Sequence, residues 1–199
     1  MEIAGVVLAA GAGRRYGMPK ALVSFDGELL VQRAAAVLSS LSSVVIVIGA
    51  AGAEVRKVAP SLNYVDNSDW ETGMGSSFRA GLAALSDRFD AAMITLVDMP
   101  GVTPAAVSRI ASFASPSALV MGGYGDRRGH PVLLGRDHWA GASAAAVGDR
   151  GARDYLRTRD VRVVDVSDVA DDTDLDVPLL DVPLLDAPPL DAPLEAGHA

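Results

Sequence analysis

The sequence predicts an α/β sandwich built on a mostly parallel sheet, and three observations carry that reading. Through residue 166, apolar β-branched runs alternate with Ala-rich stretches of helical period. The first run, Ile3–Ala9, leads directly into a glycine-rich loop. The last stretch, Val177–Ala199, differs in composition, so residues 1–176 read as one domain followed by a tail, 177–199.

Taken in order, Ile3–Ala9 reads as a buried strand with a loop after it through Lys20. Leu29–Leu41 has helical periodicity, and Val44–Ile48 is the clearest strand of the chain. Leu62–Val65 is a short third strand, and Gly75–Leu85 is a helix with Ser76 and Ser77 suited to its cap. Ala91–Val97 is a strand. Thr103-Pro104 then starts a helix, pairing a capping side chain with a proline whose missing N–H is harmless at the first helical position. Ala118–Met121 and Pro131–Leu134 are short strands, followed by helices near His138–Val147 and Ala152–Arg157 and a last strand at Val161–Val166. Ligands of such sheets bind beyond the carboxyl ends of the strands.

Composition narrows the function. At 199 residues, half of them hydrophobic and 21% charged, the chain can bury a core without disulfides or metal. The absence of cysteine excludes disulfide frameworks, zinc–thiolate sites and thiol catalysis, and fits a reducing compartment. The longest apolar stretch, around Val44–Ala51, is far short of the roughly 20 residues that span a bilayer. Met1–Ala10 lacks the basic leader of a secretory signal, so a cytoplasmic location is expected. The net charge of −8 lies in the last 29 residues, which hold eight acids and neither Lys nor Arg. Residues 1–170 carry 17 acids and 17 bases, which leaves no footprint for nucleic acid or a membrane surface. Any polyanion must be met by a local cluster of bases.

Such a cluster follows the first strand. In Leu8-Ala9-Ala10-Gly11-Ala12-Gly13-Arg14-Arg15-Tyr16-Gly17-Met18-Pro19-Lys20 the glycines let backbone N–H groups converge on an anion. Arg14, Arg15 and Lys20 add three cations, the combination a triphosphate requires. A Gly-rich turn with solvated bases is the alternative. Two other phosphate loops fail: Ala21 stands where a Walker loop needs Ser or Thr after its lysine. The Gly11–Gly13–Gly17 spacing is one residue too long for a dinucleotide fingerprint, and Val31–Leu38 lacks the acid.

The segment Leu8-Ala9-Ala10-Gly-x-x-x-Arg15-Tyr16-Gly17-x-x-Lys20 resembles the signature of nucleotidyltransferases typified by molybdenum-cofactor guanylyl- and cytidylyltransferases. The likeness continues through Asn67-Ser-Asp-Trp70-Glu-Thr-Gly73-Met74-Gly75-Ser76-Ser77-Phe78-Arg-Ala-Gly81-Leu82, Asp98-Met99-Pro100, Arg128-Gly129-His130-Pro131 and Gly148-Asp149-Arg150-Gly151-Ala152-Arg153. It implies a three-layer sandwich with a Rossmann-like sheet, as in nucleotide-diphospho-sugar transferases. It also implies Mg²⁺-dependent transfer of NMP from NTP to a phosphate acceptor, first of all molybdopterin. Arg15, Lys20 and Asp98 become the catalytic set. Leu8, Ala9, Ala10, Gly11, Gly13, Arg14, Gly75, Ser76 and Ser77 join them in holding the nucleotide, and Arg128, His130, Arg150 and Arg153 hold the acceptor. A monomer is expected, with a molybdoenzyme or its chaperone as a further partner.

The residues fit those roles physically. Asp98 closes a strand at the ligand edge, where a hard carboxylate suits Mg²⁺; its alternative is a turn acid. His130 sits in a constrained Arg128–Pro131 loop, and its alternative is a structural histidine. Arg150 and Arg153 flank Gly151 at a helix start; a solvated helix face is their alternative. The family's terminal acidic motif is approximated by Asp174-Leu175-Asp176-Val177-Pro178, which makes Asp176 the second metal ligand or simply the first acid of the tail. The tail's five-residue proline repeat implies an extended, solvated segment without a catalytic role, a docking motif being the other reading. Ala10, where guanylyl-transferring relatives carry a second glycine, implies CTP in preference to GTP. Transfer to a sugar phosphate, or nucleotide binding without catalysis, are the rival functions.

Overall fold

The computed structural model describes residues 1–175; Asp176 and the tail expected at 177–199 lie outside the described residues. The elements are β1 (Ile3–Leu8), β2 (Ser24–Phe25), β3 (Glu28–Leu29), α1 (Leu30–Val37), β4 (Ser43–Ile48), α2 (Gly52–Val58) and β5 (Tyr64–Asp66). They continue as α3 (Met74–Ala83), β6 (Ala91–Leu96), α4 (Pro104–Ala111), β7 (Leu119–Tyr124), β8 (Arg127–Gly135), α5 (Trp139–Ala145), α6 (Arg153–Arg157) and β9 (Arg162–Asp165).

Seven strands form one sheet in the order β5-β4-β1-β6-β8-β7-β9, in which only β8 runs against the others. Alternation along each strand sorts the core onto two faces. Val7, Ile46, Ile48 and Met93 pack beneath α1, α2 and α4, where Leu30, Val31, Val55, Val107 and Ile110 are buried. Val6, Leu8, Val45, Val47 and Ile94 face α3, α5 and α6 through Phe78, Leu82, Ala142 and Leu156. The expected three-layer sandwich is therefore present. Gly81 lets α3 lie close on β1: a Cβ there would stand 2.6 Å from the Val6 side chain.

Thr103 caps α4 as its sequence predicts, accepting from the Ala106 N–H at 3.2 Å. Two local readings are corrected. The cap of α3 is Gly73, at φ 109°, and Ser76 and Ser77 lie buried in the helix's first turns. Arg128–His130 belong to β8 rather than to a loop, because β8 continues from Pro131 back to a tight turn with β7. The β7–β8 register shifts between Met121 and Gly122, where a Cβ on Gly122 would meet the His130 carbonyl at 2.9 Å.

Candidate functional site

The loop after β1 is closed on itself. Gly17 N–H donates to the Gly13 carbonyl at 2.8 Å. Gly13 has φ 61°, and a Cβ there would stand 1.8 Å from the Met18 carbonyl oxygen, so only glycine fits. Tyr16 is buried and anchors the turn, while Arg14 and Arg15 stay exposed. Lys20 opens a short 3₁₀ turn, Lys20–Leu22, whose Ala21 is buried in the core. From there its Nζ donates to Asp98 Oδ2 at 2.7 Å and Asp174 Oδ1 at 3.3 Å. The Lys20 and Asp98 side chains are only 14% and 18% exposed, so this pairing is screened far less than a surface ion pair.

Asp98 is delivered by β6, since Val97 N–H donates to the Leu8 carbonyl at 3.1 Å and holds the strand end beside the loop. The chain after β9 then returns across this edge. Thr103 Oγ1 donates to the Val169 carbonyl at 2.8 Å, Asp171 N–H to the Gly101 carbonyl at 3.2 Å, and Leu175 N–H to the Asp98 carbonyl at 3.1 Å. Leu175 is buried, which fixes Asp174 beside Lys20, and Asp172 pairs with Arg127 at 2.7 Å. Among the described residues no three acids or histidines gather into a metal cage. Two carboxylates around one ammonium nevertheless suit a cation such as Mg²⁺, which takes one or two carboxylates and completes its shell with phosphate and water.

Two adjoining clefts open at this edge. The first, about 510 Å³, is lined by Gly11–Tyr16, Lys20 and Asp98 and extends to Trp70, Glu71 and Ser77. The second, about 520 Å³, has an apolar floor including Ile94, Met121 and Val132 and carries Arg128, His130, Arg150 and Arg153. Leu8, Met74, Leu96 and Asp149 line both.

Of the residues expected to hold a nucleotide, Leu8, Ala10, Gly11, Gly13, Arg14, Arg15, Lys20, Ser77 and Asp98 line the first cleft. Ala9, Gly75 and Ser76 do not. Ala9 turns into the core, and a Cβ on Gly75 would stand 2.7 Å from the Ala146 carbonyl, so Gly75 serves helix packing. Ser76 is held between Asn67 and the Asp69 and Gly73 carbonyls. All four expected acceptor residues meet in the second cleft. Trp70, Glu71 and Asp149 also line the clefts; they lie inside the motifs, but nothing in a lone acid or Trp in the sequence marks its direction. Asp174, the first acid of the terminal motif and the alternative to Asp176 as second metal ligand, lines the second cleft.

His130 is half-buried, and desolvation pushes its pKa from 6.5 down to about 4; Asp98 opposes the shift and Arg153 adds to it. The imidazole is therefore neutral at physiological pH. The unfolded chain binds a proton near pH 6.5 that the folded chain refuses until about pH 4, so stability is lost as pH falls through that window. Urea midpoints between pH 7 and pH 4 should drop more steeply for the natural protein than for His130→Asn. Parallel curves would contradict the desolvated neutral ring.

Residues 5–163 match the MobA-like NTP transferase domain. The chain is 36% identical over 188 residues to nicotine blue oxidoreductase of Paenarthrobacter nicotinovorans, covering 87% of this chain and 92% of that one. It is 32% identical over 145 residues to the molybdenum cofactor guanylyltransferase of Rhodobacter capsulatus, covering 71% and 68%. Among solved structures, Rv0371c of Mycobacterium tuberculosis H37Rv in complex with manganese superposes with a TM-score of 0.71 at 27% identity, covering 83% of this chain and 89% of that one. A nucleotidyl transferase of Methanothermobacter, at 22% identity and a TM-score of 0.71, shares the fold. The match over residues 5–163, together with a loop, strand-end acid and sheet order of this kind, makes the chain a member of the MobA-like NTP transferase family.

Proposed function

We propose that the protein transfers a nucleoside monophosphate, CMP in preference to GMP, from NTP to a phosphate-bearing acceptor, with molybdopterin the first candidate. The observation that carries this reading is Lys20 held between Asp98 and Asp174 below a glycine-rich loop, with an arginine-lined cleft alongside. An acceptor phosphate oxygen forms a bond to the α-phosphorus as the α–β bridging P–O bond breaks, and pyrophosphate leaves. A phosphate acceptor is already deprotonated, so no general base is needed, consistent with a neutral His130. Arg15 and Lys20 supply positive charge to the phosphates, and Arg128, Arg150 and Arg153 hold the acceptor's anion next to them. Asp98, with Asp174 or Asp176, would hold Mg²⁺, which neutralises charge on the phosphates when bound; the manganese in Rv0371c supports a divalent ion.

The Ala10 methyl in the first cleft favours the smaller base, although the Rhodobacter relative is a guanylyltransferase. One methyl is worth about 10–200-fold in discrimination. Pyrophosphate release with each NTP, with and without molybdopterin, should be greatest for CTP plus acceptor, and Ala10→Gly should raise kcat/KM for GTP relative to CTP. GTP as the better substrate of the natural protein would overturn the cytidylyl assignment.

The 36% identity to nicotine blue oxidoreductase favours a second reading, an oxidoreductase acting on nicotine blue within the same clefts. Reduction of nicotine blue by a nicotinamide dinucleotide, with no pyrophosphate from any NTP, would establish it. The loop spacing that fails the dinucleotide fingerprint favours the transferase.

A further inference from the structure

The sheet order lays the first cleft out in sequence. The loop after β1 brings Lys20 to Asp98, which follows the neighbouring β6, the second cleft lies toward β8, and Trp70 and Glu71 follow β5 on the opposite side of β1. A nucleotide whose phosphates meet Lys20 therefore extends its base toward Trp70, Glu71 and Ser77. Those residues carry an unused hydrogen-bond arrangement.

Asn67 is buried, and its amide is fully oriented, because Oδ1 accepts from the Asp69 N–H at 3.0 Å. Nδ2 then donates to both Ser76 Oγ at 2.8 Å and Ser77 Oγ at 3.0 Å. Ser76 passes its own proton to the Asp69 or Gly73 carbonyl. Ser77 is only 5% exposed, lines the cleft, and among the described residues has no acceptor for its hydroxyl proton. Asn67 thus commits Ser77 to donate into the cleft. Glu71 lines the same cleft as the phosphate cations and is exposed, and its carboxylate can only accept. Trp70 beside it is half-buried, in space left by Gly49, where a Cβ would stand 2.6 Å from the Trp70 Cβ.

We propose that Glu71 and Ser77 form a base-reading pair that takes cytosine and rejects uracil, an inference that rests on the nucleotidyltransferase reading above. Cytosine offers its N4 amino group to the Glu71 carboxylate, while its O2, an acceptor that uracil shares, accepts from Ser77. Uracil places a carbonyl oxygen where cytosine has the amino group, so the carboxylate meets a lone pair and both lose their partner. Asn67 is the positioning residue of the pair.

The test is calorimetric titration of the full chain with CTP and with UTP in Mg²⁺, which needs no acceptor. The natural protein should bind CTP about ten- to a hundredfold more tightly than UTP. Glu71→Gln should level or invert that ratio, because the amide can donate to the uracil carbonyl. Ser77→Ala should weaken both nucleotides alike, and Asn67→Asp should reproduce it by drawing the Ser77 proton away from the cleft. Equal affinities in the natural protein, or a ratio unchanged in Glu71→Gln, would overturn the base-reading pair alone. Binding of neither nucleotide by the natural protein would overturn the transferase reading and this inference with it.

Discussion

Lys20→Ala should lower turnover by at least about a hundredfold while the far-ultraviolet circular dichroism stays unchanged. Lys20 is one of two lysines in a chain with 15 arginines, and its ammonium bridges Asp98 and Asp174. Removing it takes a fixed point charge from the phosphate loop and leaves the partly enclosed Asp98 and the exposed Asp174 carboxylates facing each other. Lys20→Arg should restore little, because a planar guanidinium is larger and cannot place one compact charge between both acids. Steady-state pyrophosphate release at saturating NTP reads the effect. Near-normal kcat in the alanine variant would remove lysine from the mechanism.

Asp98→Asn should be as damaging, by about a hundredfold or more, but in a different way. The substitution keeps size and hydrogen-bonding capacity while removing the charge that a hard cation needs. The backbone loop from Gly11 to Gly17 does not depend on Asp98, so weak NTP binding should persist. Titrating turnover against Mg²⁺ separates the cases: the variant should need far more metal or show no metal-dependent rate. An unchanged Mg²⁺ dependence would place the ligand elsewhere.

Strands that are buried on both faces were legible because they must be continuous apolar runs; β1, β4 and β6 are such strands. The helix α2 was not, since Val55 is its sole buried residue and a seven-residue helix with one anchor has no stripe to read. The two-residue strands β2 and β3 are equally invisible, being set by a turn in which Asp26 and Gly27 adopt positive φ. The polar half of β8 read as a loop because Arg127–His130 lies at the sheet's ligand edge, where strand residues need not be apolar.

At the site, the loop cations and Asp98 were legible from their place at strand ends. Asp174 was harder: its position depends on Leu175 entering the core and on a backbone bond to Asp98, 77 residues away in sequence. Ser76 and Ser77 looked equivalent in sequence. The Asn67 amide donates to both, and only the Asp69 and Gly73 carbonyls, which take the Ser76 proton, separate them, leaving one structural and one facing the cleft.

The most direct test of nucleotidyl transfer follows the label of [α-³²P]CTP in the presence of molybdopterin and Mg²⁺. The account predicts that label moves to the acceptor, one mole for each mole of pyrophosphate released, and that label in the γ position leaves entirely as pyrophosphate. Label remaining on free CTP or CMP, with no acceptor adduct for any of the four nucleotides, would contradict it.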